Sequence, residues 1–306
     1  MIYIIIGIVL GLLIITYFIF CEITNHFMVK RGREVPLVDL DLSKTQYAPY
    51  ENIVREYNAF FDNIKPELVE ITAVDGIKLR GFYYKNKLDT MVICFHGYRA
   101  TPLNNYAVMG KILYEKGYSL LLIVERAHGE SEGKYTTFAD KEKYDCISWI
   151  NFAKEKFNPS KIFLYGLSMG GGAILMATSL NMDKIVHGII ADSAFDASTH
   201  AIFNGMKRGL KGFAYILYPG ILLTLLFKGI KPWKNKIYEV LRNNEIPVLF
   251  IHGKNDTLIP IKLGYNNYNN NLGKKEFIET DAEHVLSIYT DLDLVSNKIL
   301  EFIEDN

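Results

Sequence analysis

No charged side chain occurs in residues 1–21, where Ile, Leu, Val, Phe and Tyr predominate. About 20 such residues span a bilayer as a helix. A polar stretch follows from about 31 to 66, and beyond it short apolar runs alternate with helical patterns. Residues 67–73 and 77–84, separated by Asp75-Gly76, read as a β-hairpin. Residues 90–95, 119–124, 161–165, 185–191, 247–252 and 276–280 read as short buried strands with helices between most of them. That alternation implies parallel pairing in a twisted sheet covered by helices on both faces, with the hairpin adding antiparallel strands at one edge. Ligands of such α/β sheets sit beyond the carboxyl ends of the strands.

The pattern divides the chain into an anchor over 1–24, a connector over 25–66 and an α/β domain over 67–306. Within the last, residues 196–245 are too long for an ordinary strand-to-helix connection and read as a helical cap. The apolar segment 213–227 is interrupted by Pro219-Gly220, and Lys211 and Lys228 leave only 212–227 uncharged between them. It therefore reads as part of the cap rather than as a second span. The first segment does not read as a cleavable signal: its start has no Lys or Arg, its apolar run exceeds the ~7 to 15 residues of a signal core, and Phe20-Cys21-Glu22 offers no small-residue cleavage site. Lys30, Arg31 and Arg33 follow the span and nothing basic precedes it, which places the domain on the cytoplasmic face.

Composition narrows the partners. In 306 residues, Lys plus Arg and Asp plus Glu both total 34, so no net field favours nucleic acid. Cys21, Cys94 and Cys146 fall in the apolar run, a strand and a helix, with no disulfide framework or metal-ligand spacing. No metal site is expected.

The chemistry centres on Gly166-Leu167-Ser168-Met169-Gly170, between the apolar run 161–165 and the small-residue run 171–177. In a strand–turn–helix setting, G-x-S-x-G forms an elbow that projects the serine hydroxyl above the sheet, and Gly166 and Gly170 are expected because side chains there would collide with neighbouring elements. A second match, Gly129-Glu130-Ser131-Glu132-Gly133, does not lead directly into a helix, and Ser131 reads as part of a structural loop. A serine hydroxyl needs a base within hydrogen-bond reach and a group to orient that base. His284, on the loop after the last strand, is the expected base, whereas His252 reads as a buttress of its turn. Asp256, after the penultimate strand, is the expected acid, with Asp192 as competitor. Two donors must meet the developing oxyanion: the N–H of Met169 at the helix start, and the N–H of Tyr98 in His96-Gly97-Tyr98-Arg99. His96 is expected to hold that loop, and Gly97 to let the backbone come close.

These segments, together with Glu125-Arg126-Ala127-His128-Gly129-Glu130-Ser131, Asp192-Ser193-Ala194-Phe195, His252-Gly253-Lys254-Asn255-Asp256 and Glu283-His284, make the chain resemble the α/β-hydrolase superfamily, and within it the BEM46-like and serine-aminopeptidase-like hydrolases, many with an N-terminal membrane segment. The likeness covers about 67–303. It departs from the family's usual Asp-x-Arg-Gly-His-Gly at Glu125 and Ala127. The resemblance implies hydrolysis of an ester, thioester or amide through an acyl-enzyme, without a cofactor.

The expected function is a membrane-anchored carboxylic-ester hydrolase acting on a small or lipid-like substrate with an apolar acyl group. An aminopeptidase or amidase is the alternative within enzymes and would need a carboxylate for the substrate ammonium, for which Glu245 or Asp196 are candidates. A catalytically silent anchored binding module is the alternative outside them.

Overall fold

A computed structural model describes residues 1–31, 41–43 and 45–306. Its strands are β1 (Glu67–Thr72), β2 (Lys78–Tyr84), β3 (Thr90–Phe95), β4 (Ser119–Ile123), β5 (Lys161–Leu167), β6 (Val186–Asp192), β7 (Val248–Gly253) and β8 (Lys275–Thr280). Its helices are α1 (Ile2–Val29), α2 (Glu51–Asp62), α3 (Pro102–Glu115), α4 (Glu142–Phe157), α5 (Met169–Ala177), α6 (Ser198–Leu210), α7 (Phe213–Phe227), α8 (Ile237–Val240), α9 (Ile261–Asn270), α10 (Ser287–Thr290) and α11 (Leu292–Asp305). All strands expected from the sequence form, with ends differing by at most two residues.

The strands build one sheet in the order β1-β2-β4-β3-β5-β6-β7-β8. Pairing is antiparallel from β1 through β2 to β4 and parallel from there on. The central strands are continuously apolar because each feeds two cores. Met91, Ile93 and Phe95 of β3 join Trp149 of α4 and Ile174 of α5 on one face. Val92 and Cys94 join Tyr106 of α3 and Val295 of α11 on the other. Period-two alternation is thus present in space but hidden in the sequence.

Three expectations need correction. First, the N-terminal helix, expected to end near residue 24, runs to Val29. Of the basic residues used to assign sidedness, Arg33 lies outside the described residues. Second, the connector is not merely polar: it holds α2, whose Val54 and Phe61 enter the second core, Phe61 lying edge-on to Tyr84 with ring centroids 5.1 Å apart. Third, Pro219-Gly220 does not break the apolar segment, since α7 passes through it.

A proline inside a helix removes one backbone donor and clashes with the preceding turn. Here α1 makes good the disturbance. The Tyr17 hydroxyl sits inside the Ile216–Gly220 step, donating to the Ile216 carbonyl at 3.0 Å and accepting from the Gly220 N–H at 3.0 Å. Asn25 donates to the Ile221 carbonyl at 3.1 Å and to the Thr224 hydroxyl, and Lys228 pairs with Glu22 at 2.6 Å. Gly220 permits the approach, because a Cβ there would lie 2.6 Å from Cys21 Sγ and from the Tyr17 ring. Among the described residues α1 alone is long and apolar enough to cross a membrane.

Replacing Tyr17 by Phe leaves two helix groups without their partner and is expected to lower stability by about 1–3 kcal/mol in detergent-solubilised protein. A Tyr3→Phe control, at a position 86% exposed, is expected to melt with the parent. Equal melting of both variants would show that the hydroxyl bridge contributes nothing.

Candidate active site

The turn between β5 and α5 is the tightest point of the fold. Ser168 has φ 51° and ψ −109°, a conformation a non-glycine residue holds only where its surroundings enforce it. Its N–H donates to the Asp192 carbonyl at 2.8 Å, and its carbonyl accepts from the Gly172 N–H at 2.9 Å. A Cβ on Gly170 would lie 1.9 Å from the Phe95 carbonyl oxygen, and one on Gly166 would lie 2.5 Å from the Gly171 nitrogen. Close packing of α5 on β3 requires Gly170, its close return on the end of β5 requires Gly166, and the serine is left at the corner.

Three residues far apart in sequence meet there. His284 Nε2 is 2.8 Å from Ser168 Oγ, and His284 Nδ1 is 2.7 Å from Asp256 Oδ2. The other carboxylate oxygen of Asp256 accepts from the backbone N–H groups of Leu258 at 2.9 Å and Ile259 at 2.7 Å. Burial acts to raise the Asp256 pKa, but the hydrogen bonds it receives outweigh that effect and hold it well below the usual carboxylate range. Asp192, the competitor, behaves oppositely: burial pushes it up to about 6, and its side-chain partner is the Ser193 hydroxyl at 2.8 Å. Geometry thus puts Asp256, not Asp192, against the imidazole. His252 Nε2 lies 3.5 Å from Asp256 but 2.7 Å from the Ile259 carbonyl. The nearer oxygen takes its proton, and the residue buttresses the acid loop.

The loop after β3 is fastened by two buried histidines. His96 accepts the Glu125 N–H on Nε2 at 3.0 Å and therefore donates from Nδ1 to the Gly97 carbonyl at 2.8 Å. His128 accepts the Arg99 N–H on Nε2 at 2.9 Å and donates from Nδ1 to the Arg126 carbonyl at 2.9 Å. Each ring needs one bare nitrogen, so both act as neutral clasps. Burial lowers His96 to about 3 and His128 to about 4. The expectation that Gly97 serves close backbone approach does not hold: a Cβ there would meet nothing nearer than 3.5 Å. Its N–H instead donates to Asn105 at 2.7 Å, and Asn105 in turn donates to the Tyr47 hydroxyl at 2.6 Å.

Ser131 takes no part in this cluster. Its hydroxyl donates to the Val124 carbonyl at 2.6 Å and accepts the Arg80 N–H at 2.8 Å. Ala127, at a point of departure from the family pattern, has φ 60°, a conformation glycine would adopt without strain. Sequence reasoning gave no weight to Ser193, whose hydroxyl accepts the Val285 N–H at 3.1 Å and so ties the end of β6 to the loop bearing His284. Nor did it single out His128, Asn105 or Tyr47, which are ordinary polar residues until the loops are seen together.

A cavity of about 380 Å³ opens at Ser168, with Met169 and Tyr98 beside it and Ile202 and Met206 of α6 above it. A polar cleft of about 440 Å³ adjoins it, lined by Arg99, Asn104 and Glu283. Tyr98 and Arg208 border both. Met169 is the first residue of α5, where backbone N–H groups have no intrahelical partner and the helix dipole is positive. Of the carboxylates considered for an ammonium, Asp196 is occupied by His200 at 2.7 Å and Asn266 at 2.7 Å, and neither it nor Glu245 lines the cavity. Among the described residues no group of three or more His, Cys, Asp or Glu is placed to hold a metal ion.

The fold and these loops define a hydrolase of the α/β class. Residues 86–235 match the family model described as serine aminopeptidase, S33. The uncharacterized protein YqkD of Bacillus subtilis is 25% identical over 250 residues, which are 80% of this chain and 81% of that one. The Danio rerio lysophosphatidylserine lipase ABHD12 is 24% identical over 189 residues, covering 58% of this chain but 46% of the lipase. Among solved structures, the Pyrococcus furiosus esterase Pf2001 superposes with a TM-score of 0.66 at 27% identity, over 82% of this chain and 93% of its own. The chain has the α/β-hydrolase fold of these proteins.

The two neutral histidines make the loop acid-sensitive. Below about pH 6.5 the unfolded chain protonates these rings while the folded protein does not until about 3 to 4, so each costs about 1.4 kcal/mol of stability per pH unit across that window. Asp192 and Glu125, whose carboxyls burial raises, bind protons in the folded state and act in the opposite sense. Comparison with a variant isolates the histidine. Melting of His96→Gln is expected to fall less steeply than that of the parent between pH 6.5 and 4, by about that slope, and parallel curves would refute the assignment.

Proposed function

We propose that this chain is a membrane-anchored serine hydrolase that cleaves a carboxylic ester with an apolar acyl group. The observation that carries the reading is the unbroken hydrogen-bonded series from Asp256 through His284 to Ser168, placed at a strained elbow beside an apolar cavity. Ser168 Oγ attacks the carbonyl carbon while His284 Nε2 takes its proton. The imidazolium is stabilised by Asp256, which three donors already hold as an anion. Charge on the carbonyl oxygen is met by the N–H groups of Met169 and Tyr98, donors fixed before reaction and therefore spared reorganisation. Collapse expels the alcohol with the proton from His284, leaving an acyl-Ser168 ester. Water, deprotonated by His284, then releases the carboxylic acid.

The acyl half belongs in the apolar cavity and the alcohol half in the polar cleft beside Arg99 and Arg208. Names among the relatives agree in kind, an esterase and a lipase. An aminopeptidase reading draws on the name of the matching family, but it lacks a carboxylate in the apolar cavity; the nearest candidate, Glu283, lies in the polar cleft. The extended apolar surface of α1 supports attachment to a membrane.

Ser168→Ala and His284→Ala are each expected to lower turnover of p-nitrophenyl butyrate by on the order of 10⁶. A fluorophosphonate probe should label the parent but not Ser168→Ala. Turnover of the Ser168 variant within tenfold of the parent would end the proposal, and faster cleavage of aminoacyl anilides than of esters would move it to the amidase reading.

A further inference from the structure

The last two turns of α1 do more than hold the domain to a surface. Thr24, Phe27 and Met28 line the same cavity as Ser168, facing Ile202 and Met206 of α6. The terminal carbonyls of α1, which a helix leaves unpaired, are taken up by the loops around the site. The Met28 carbonyl accepts from the Tyr98 hydroxyl at 2.6 Å, the Phe27 carbonyl accepts from the Arg99 guanidinium, and the Val29 carbonyl accepts from the Thr136 N–H at 2.8 Å. Arg31 completes the attachment, its N–H donating to the Lys134 carbonyl at 3.0 Å and its guanidinium to the Gly129 and Ser131 carbonyls. One helix therefore supplies a wall of the cavity and grips the loop that carries Tyr98.

The direction of that wall matters. Tyr17 meets Ile216 and Gly220, while Asn25 meets Ile221 and Thr224, so α1 and α7 run the same way. The start of α7 then faces back toward the apolar half of α1, with Phe213, Tyr215 and Ile216 exposed. The end of α6, where Arg208 and Leu210 line the cavity, lies against that start. Exposed apolar side chains at the start of α7 thus lie between the apolar half of α1 and the end of α6 that lines the cavity.

We propose that Thr24, Phe27 and Met28 are specificity-determining residues, and that the cavity they close receives the acyl chain of a long-chain ester resident in the membrane that holds α1. The proposal rests on the acyl-enzyme reading at Ser168. A chain that never leaves apolar surroundings avoids the cost of about 0.8 kcal/mol for each exposed CH₂, which favours transfer along α1 over capture from water. At about 380 Å³ the cavity lies near the small end of ligand pockets, roughly 300–1,000 Å³, and suits one acyl chain.

The test uses the full chain in phosphatidylcholine vesicles, with kcat/KM measured for p-nitrophenyl dodecanoate and p-nitrophenyl acetate. Thr24→Trp fills the cavity from the α1 side and is expected to lower the dodecanoate-to-acetate ratio by on the order of 10-fold; Met28→Ala should change it in the same assay by weakening the wall. Fluorophosphonate labelling of Ser168 in each variant reports whether the site is assembled. A ratio unchanged in both variants, with labelling retained, overturns the proposal. Failure of the parent to label or to cleave either ester instead overturns the acyl-enzyme reading beneath it. A non-exchanging long-chain ester should be cleaved when it shares the enzyme's vesicles and not when it is confined to others. Equal cleavage in both arrangements would overturn access from the membrane.

Discussion

Contact between the backbone of α5 and the end of β3 is the constraint on which the rest depends. The Gly170 Cα sits so near the Phe95 carbonyl that no side chain fits, and the reversal from β5 into α5 must be completed at one residue. Ser168 is held at the positive φ because its N–H is bonded to the Asp192 carbonyl at the end of β6 and its carbonyl to the Gly172 N–H of α5. The strain is thereby supported by tertiary packing, as strained functional residues require. The same contact sets the N-terminus of α5 beside the loop that follows β3, so a hydroxyl, a helix dipole and a second loop converge without any of them having to move.

Electrostatics around this corner sort two carboxyls that look alike in sequence. Asp192 ends β6, Asp256 lies in the loop just after β7, and both are buried. Asp256 is surrounded by donors and stays ionised, while Asp192, with a hydroxyl for company, is pushed toward neutrality. The contrast follows the general rule that environment, more than residue type, assigns acid and base roles. His96 and His128 show the same rule from the opposite side, since burial keeps them neutral and useful as acceptors.

The N-terminal helix joins this arrangement rather than trailing from it. Side chains of α1 repair the proline step of α7, and side chains of the β3–α3 loop cap the end of α1. Each helix end and each interrupted turn carries polar groups that must find partners away from water. Satisfying them fixes α7 against α1, whose last turns line the cavity together with α6, and makes the N-terminal helix and the site mechanically continuous.

Strand positions, the parallel sheet with its antiparallel edge, the elbow and the chain order of Ser168, Asp256 and His284 were legible from residue order alone. Apolar runs, glycine spacing and motif context are local signals with local physical causes. What the chain could not disclose by itself was every feature that depends on which surfaces meet: the continuation of α1 to Val29 and its place in the cavity wall, the passage of α7 through Pro219, the opposite pKa shifts of Asp192 and Asp256, and the part that His128 and Asn105 take beside His96 in fastening the loop. Tyr17 lies 199 residues from its partner Ile216, and no periodicity records such a pairing. Burial, hydrogen-bond satisfaction and the pKa shifts that follow are properties of surroundings, and only the folded chain supplies surroundings.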